Sequence, residues 1–475
     1  MKTHIGEMSL IQITDNCDWT PISNLTSEEK IEMHINNLQK IANVNIREVT
    51  LAENPNLLIF PRDWALCDDE ISENRILSLQ GKELSTGNVM GFIGINDTQL
   101  KIKSRFAKED ENDYFLHYML QKVFSINLFD MKHAMNRESV FDFLLYLFPH
   151  FLKKALRQGL FKKYRRFEHN DSNVKGVIDV NRHIKENVPF RGRVSYSNRE
   201  YSFDNEITQL VRHTIEYIKV KPQGGYILNN DRETKESVSQ ILQATPSFNR
   251  RERMQIISKN LKRLQHPYYS AYTDLQQLCL QILRHESIKF GYEKNKVYGV
   301  LFDGAWLWEE YLATILKDVD RMVHPKNRKR QDGIQIYKGG QSFFPDFYRK
   351  GTALDGIDSF VLDAKYKRLS RGLNSGELEE NVKSGFSIQR EDLFQMISYM
   401  HVLPAQKAAL LYPFKDVDNV EIKVDKKVLF GLGGDIFGMG VPIPREADFI
   451  AFSKFMNGVE LHLKAVVEEL SLKIV

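Results

Sequence analysis

The run SFVLDAKYK, residues 359–367, constrains this chain more than any other stretch of it. It reads as a strand, and side chains alternate across a strand. Phe360, Leu362, Ala364 and Tyr366 therefore share one face, while Val361, Asp363, Lys365 and Lys367 share the other. Whatever fold contains this run must present a carboxylate and an ammonium side by side. Upstream, FFPDFYRK (343–350) puts Asp346 on a second short strand. The polar, glycine-containing stretch KGTALDGIDS joins the two and suits a hairpin with a longish loop, which brings Asp346 close to Asp363.

Two carboxylates at close range repel unless a hard divalent cation lies between them, and Mg²⁺ suits such an oxygen-lined site with open water positions. Asp346 and Asp363 are thus candidate metal ligands. Lys365, on the same face, is placed to hold or deprotonate an attacking water and to offset developing phosphorane charge. In the preceding helix (304–318), with Asp303 as its cap, Glu309 falls among Ala305, Trp308, Leu312, Ile315 and Leu316 at spacings of three and four. It is the candidate third, outer ligand of the metal or its water. Glu310 sits nearer Trp306, Leu307 and Lys317 and reads as solvated. Past the strand, REDLFQMISYMHVL places Asp392, Gln395 and Tyr399 on one helical face. Gln395 and Tyr399, an i, i+4 pair, could touch a substrate backbone or the lysine, a reading about even with ordinary helix packing.

At 475 residues the chain exceeds one ordinary core, and 42% hydrophobic with 27% charged residues indicates folded domains. Residues 1–110 read as a small β-rich domain, with a helix over 27–44 capped by Ser27 and a hairpin turn at Asn96-Asp97. Residues 111–290 carry helical apolar stripes around a strand-like insert, VKGVIDVNRHI…VPFRGRVSYSNREYSF. Residues 291–475 alternate helix and strand, including the apolar strand 408–413. The expected class is therefore a multidomain α+β protein.

The net charge of +4 indicates no nucleic-acid partner by itself. Local basic runs are the candidates: residues 153–166, 249–263 and HPKNRKRQ at 324–331. The last, with Lys326, Arg328, Lys329 and Arg330, ranks highest for DNA-backbone contact because it precedes the charged strands. Such runs are more often solvated faces, and the first two could equally meet an acidic protein surface. His183 and His213 lack metal-ligand spacing and read as structural. Three separated cysteines, Cys17, Cys67 and Cys279, form no CxxC pair or disulfide framework, so a reducing, cytoplasmic setting is expected. With neither an apolar leader nor a run of membrane length, no membrane is expected.

Asp346 after Pro345, D-A-K at 363–365 and Q-x-x-x-Y at 395–399, with a glutamate on the helix before, resemble the PD-(D/E)XK nuclease superfamily. More narrowly, LWEEYLA, FVLDAKYK, DLFQMISYM and LLYP, in that order, resemble the McrC subunit of McrBC-type restriction systems, including LlaJI-like members. VKGVIDVNRHI and SFDNEITQLVRHTI extend the likeness upstream, so that it covers roughly residues 110 to 440. The first hundred resemble only the longer members.

The resemblance implies a PD-(D/E)XK domain at 291–475, a middle domain that docks a motor, and Mg²⁺-dependent DNA cleavage with a separate McrB-like AAA-plus GTPase hexamer whose hydrolysis the subunit stimulates. Consistently, the chain has no G-x-x-x-x-G-K-[ST] loop. A second reading makes it a catalytically silent adaptor of that NTPase, and a third a nuclease that needs no motor.

Overall fold

The computed structural model describes residues 9–46, 48, 57–61, 75–107, 113–124, 139–289, 297–325, 333–351, 359–366, 388–415, 419–431, 433–446 and 448–470, except the side chains of 139–143, 285–289 and 298. Contacts divide the chain into two units, Met1–Phe129 with Lys294–Val475, and Asp130–Glu293.

The first unit holds two five-stranded sheets. The amino-terminal one uses β1 (Ser9–Thr14), β2 (Leu57–Phe60), β3 (Val89–Ile95), β4 (Thr98–Lys103) and β5 (Val297–Asp303), in the order β1-β4-β3-β5-β2. Strands β3 and β4 form the expected hairpin: Ile95 lies opposite Thr98, and Asn96 takes the left-handed conformation (φ 50°) that asparagine tolerates. β5 comes from beyond the boundary expected at 290/291, yet it pairs with β2 and β3 and adds Val297 and Leu301 to this sheet's core.

The helix expected over 27–44 is shorter. A 3-10 turn, Glu28–Lys30, leads into α1 (Ile31–Leu38), and Ser27 makes no side-chain cap bond. Asn43, at φ 59°, instead ties the chain to the Leu79 backbone through both its side-chain donor and its acceptor, and this local competition ends the helix.

After α2 (Tyr114–Phe124) and β5 comes α3 (Gly304–Leu316), capped as expected by Asp303, which accepts from Trp306 N at 2.8 Å. The second sheet comprises β6 (Phe347–Arg349), β7 (Phe360–Ala364), β8 (Lys407–Lys415), β9 (Lys423–Val428) and β10 (Asp435–Ile443), ordered β6-β7-β8-β10-β9. On one face Val361, Ala408, Leu410 and Ile436 pack with Met396, Tyr399 and Met400 of α4 (Arg390–Val402). Residues that alternate with these, Phe360, Leu362, Ala409, Leu411 and Met439, are also buried, so the central strands are covered on both sides. α3 packs against β7, and α5 (Phe449–Leu470) against β10.

The strand expected over 343–349 is split. Ser342–Phe343 pairs with Ile334–Gln335, and Pro345, which has no N–H to give a ladder, separates it from β6.

The second unit is mainly helical. Helices 139–156 and 206–219 both pack against 270–289. Asn205 caps the 206–219 helix by accepting from Ile207 N and Thr208 N, while Asn205 N donates to the Thr208 hydroxyl. The insert has three strands: Val194–Ser202 pairs with Val177–Ile178, as expected, and along its whole length with Lys163–Asp171. Among the described residues no helix is long and apolar enough to cross a membrane.

Candidate active site

The register of the second sheet brings the charged residues together. Phe347 lies opposite Leu362, so one step further along the antiparallel pair Asp346, just before β6, meets Asp363 on β7. Directly opposed residues project from the same face, so the two carboxylates are neighbours. Asp346 is fixed there because one of its carboxylate oxygens accepts from Ala364 N at 2.6 Å. Asp363 is buried at 2% exposure.

Lys365 stands one residue past the end of β7, and its N–H donates to Leu411 O at 2.8 Å, prolonging the pairing with β8. Its Nζ is 2.7 Å from Asp363 Oδ2 and 3.5 Å from Asp392 Oδ1, and it donates to Gln395 Oε1 at 3.0 Å. Gln395 Nε2 donates in turn to the Tyr399 hydroxyl at 2.9 Å. Of the pair, Gln395 touches the lysine, while Tyr399 reaches it only through Gln395 and packs in the core. It adds Asp392, at the first turn of α4, as a second counter-charge. Burial pulls the Lys365 pKa down, but Asp363, Asp392 and Asp346 outweigh it and hold the group above the ordinary lysine range. Lys365 is therefore a cation held by three carboxylates.

Glu309 and Glu310 are both half-buried, so burial does not separate them as the sequence suggested. Glu309 faces His324, whose Nε2 lies 3.8 Å from its Oε1. His324 stacks on Phe347 and its Nδ1 is 2.7 Å from Asp346 O, which requires the proton on Nδ1. A chain of contacts thus runs from Glu309 through His324 to the backbone of Asp346. Sequence reasoning missed His324, which lies 22 residues from Asp346 with no helical or strand spacing to betray it.

Lys326, Arg328, Lys329 and Arg330 lie outside the described residues. The run 153–166 is paired within its own unit: Lys153 with Asp231, Lys154 with Asp274, Arg157 with Glu233, Lys163 with Glu206 and Arg165 with Asp204. That favours the reading as a solvated face.

Among the described residues no group of three or more His, Cys, Asp or Glu side chains is placed to hold a metal ion. Asp346 and Asp363 make a set of two. Two carboxylates suffice for a hard ion that keeps several waters, as Mg²⁺ does, and fall short of a four-ligand structural zinc site. The donor chemistry of the pair fits magnesium.

Residues 84–413 match a family described as the McrBC 5-methylcytosine restriction system component. A chain in a solved assembly of Thermococcus gammatolerans McrB AAA+ hexamers with bound McrC is similar in fold, with a TM-score of 0.51 and 14% identity over 96% of this chain and 100% of that one. A chain of the Thermococcus gammatolerans McrBC complex aligns over 65% of this chain and 88% of its own, at 13% identity and a TM-score of 0.33. No curated protein matches.

Proposed function

The chain belongs to the McrBC restriction-system component family, and from that premise we propose that it is the DNA-cutting subunit, with Asp346, Asp363 and Lys365 as its hydrolytic centre. The observation that carries the proposal is the Lys365 ammonium, 2.7 Å from Asp363, on the face where Asp346 lies opposite Asp363 in register. It supports the PD-(D/E)XK reading anticipated from the sequence.

Asp346 and Asp363 would hold Mg²⁺, which when bound polarises the scissile phosphate and acidifies a water. Lys365, its ammonium set against Asp363, orients the attacking water and offsets the charge that builds on phosphorus. Asp392 and Gln395 aim the ammonium from α4. Glu309 acts through His324 on the backbone of Asp346 and so supports the metal shell from outside.

The partner is an AAA-plus GTPase hexamer of the McrB kind. Its docking surface in this reading is on the second unit, where Val177, Val180, Val188 and Phe190 are each at least 60% exposed, apolar side chains of the sort that partners bury.

The test is cleavage by the purified chain with its motor partner, Mg²⁺, nucleotide and target DNA. Asp363→Ala and Lys365→Ala should each slow cutting by about a thousandfold or more. Parent-like cutting by either variant removes the assignment. Faster partner GTP turnover with every DNA left intact would make the chain an adaptor.

A further inference from the structure

We propose that Arg105, in the amino-terminal sheet region to which the sequence assigned no chemistry, is a positioning residue for Lys365; the proposal rests on the nuclease reading above. Tyr366 follows Lys365 directly and is 2% exposed. Its backbone carbonyl accepts from Arg105 Nη2 at 2.6 Å, and the same guanidinium lies 4.3 Å from the centroid of its ring.

The ring sits in a socket made by the first unit. Its hydroxyl lies 3.6 Å from Met90 Sδ, and Phe106 meets it edge-on at 6.3 Å. Gly304 forms another wall, where an added Cβ would come within 2.8 Å of ring Cε1. At that position only glycine leaves room for the ring.

Arg105 is itself immobilised. Its N–H donates to Asp15 Oδ1 at 2.5 Å, and its Nε is 3.9 Å from Asp15 Oδ2. Asp15 is fully buried, and Asp15 N donates to Lys103 O at 2.7 Å, continuing the pairing of β1 with β4. A rigid sheet edge therefore grips the peptide one residue beyond the lysine.

Lys365 is thus pinned from two sides: its own N–H is tied to β8, and the next carbonyl is tied to Arg105. A lysine stem has four rotatable carbons, so the direction of the ammonium depends on how firmly its backbone is held. Loss of the Arg105 bond removes the hydrogen bond that holds the peptide just past Lys365. Small displacements of a catalytic group cost large factors in rate, on the order of a hundredfold for about 1 Å.

The experiment compares Arg105→Met and Arg105→Lys with the parent in the full-length chain by two readouts. Hydrogen–deuterium exchange of the 360–366 segment, measured without DNA, reports whether the strand end loosens. Single-turnover cleavage and DNA affinity, measured with the motor partner, report whether that loosening reaches the chemistry. Arg105→Met should raise exchange in 360–366 by about tenfold and lower the cleavage rate by about tenfold or more, with DNA affinity within about twofold. Arg105→Lys, which keeps charge and a donor, should recover part of both.

Unchanged exchange in a folded Arg105→Met chain overturns the proposal, as does a parent-like cleavage rate despite raised exchange. If Arg105→Met fails to fold, Arg105→Lys and Asp15→Asn carry the same comparison. A parent that does not cut DNA overturns the nuclease reading instead, and exchange still decides whether Arg105 holds the strand end.

Discussion

Lys365→Met removes the ammonium while nearly preserving the volume of its stem, and it should destabilise the metal-free protein. The Lys365 side chain is 15% exposed, and those of Asp363 and Asp392 are 3% and 4% exposed. At an effective dielectric constant of about 20, separations of 2.7 and 3.5 Å correspond to gross attractions of about 6 and about 5 kcal/mol. Most of this is cancelled by the cost of removing the ions from water, so the gross figures are not the stability change. The net effect of deleting one member of a buried ionic cluster is about 3–5 kcal/mol, because the remaining charge is left uncompensated. Here Asp346 adds to that residue of negative charge, since it too acts on Lys365.

The assay is urea denaturation in chelator and in Mg²⁺. In chelator the variant should lose about 3 kcal/mol. Mg²⁺ should then raise the stability of the variant more than that of the parent, because the ion binds the folded carboxylate pair and replaces the lost positive charge. A variant as stable as the parent in chelator, or one with no larger response to Mg²⁺, refutes the placement of the three carboxylates around one cation.

Two further outcomes follow from other residues. Gln395→Leu removes the amide oxygen that accepts from Lys365, so it should lower the cleavage rate about tenfold with DNA affinity unchanged, the equivalent of about 1.4 kcal/mol; weakened affinity would show that the amide contacts substrate instead. His213 is buried with neither ring nitrogen hydrogen-bonded among the described residues, and burial, aided by Arg253 and Arg212, lowers its pKa from 6.5 to about 4. Between those values the unfolded chain binds the proton more readily, so stability is fully present above pH 6.5 and falls as pH drops toward 4. His213→Phe should flatten that part of the urea-midpoint profile, and parallel parent and variant profiles would contradict it.

The legible parts of the chain were those where local rules and tertiary demand agree. Alternation in SFVLDAKYK put Asp363 and Lys365 on one face, Asp303 announced its helix, and Asn96-Asp97 announced a turn, because each depends on near neighbours. β10 gave no strand period because it is buried on both faces and carries glycine and proline. β9, KVDKKV, is an edge strand whose charges resemble a loop. The long strand Lys163–Asp171 was hidden the same way, as the end of a basic run. α5 did carry a plain signal, since Phe452, Met456, Val459, Leu463 and Val467 recur every three or four residues and are all buried. His324 and Arg105 had none: their roles depend on partners 22 and 261 residues away along the chain.

β5 has a consequence for how the protein is made. It lies between β3 and β2 in the amino-terminal sheet, though it is encoded about two hundred residues after β3. A nascent chain released up to residue 290 holds both neighbours of a missing central strand, and their unpaired edges stay open until Asp303 emerges from the ribosome. The second unit, complete within residues 130–293, is finished first. Synthesis therefore closes the amino-terminal sheet only after the second unit has emerged, and a gene fragment cut after the middle helices would lack the strand that joins β3 to β2.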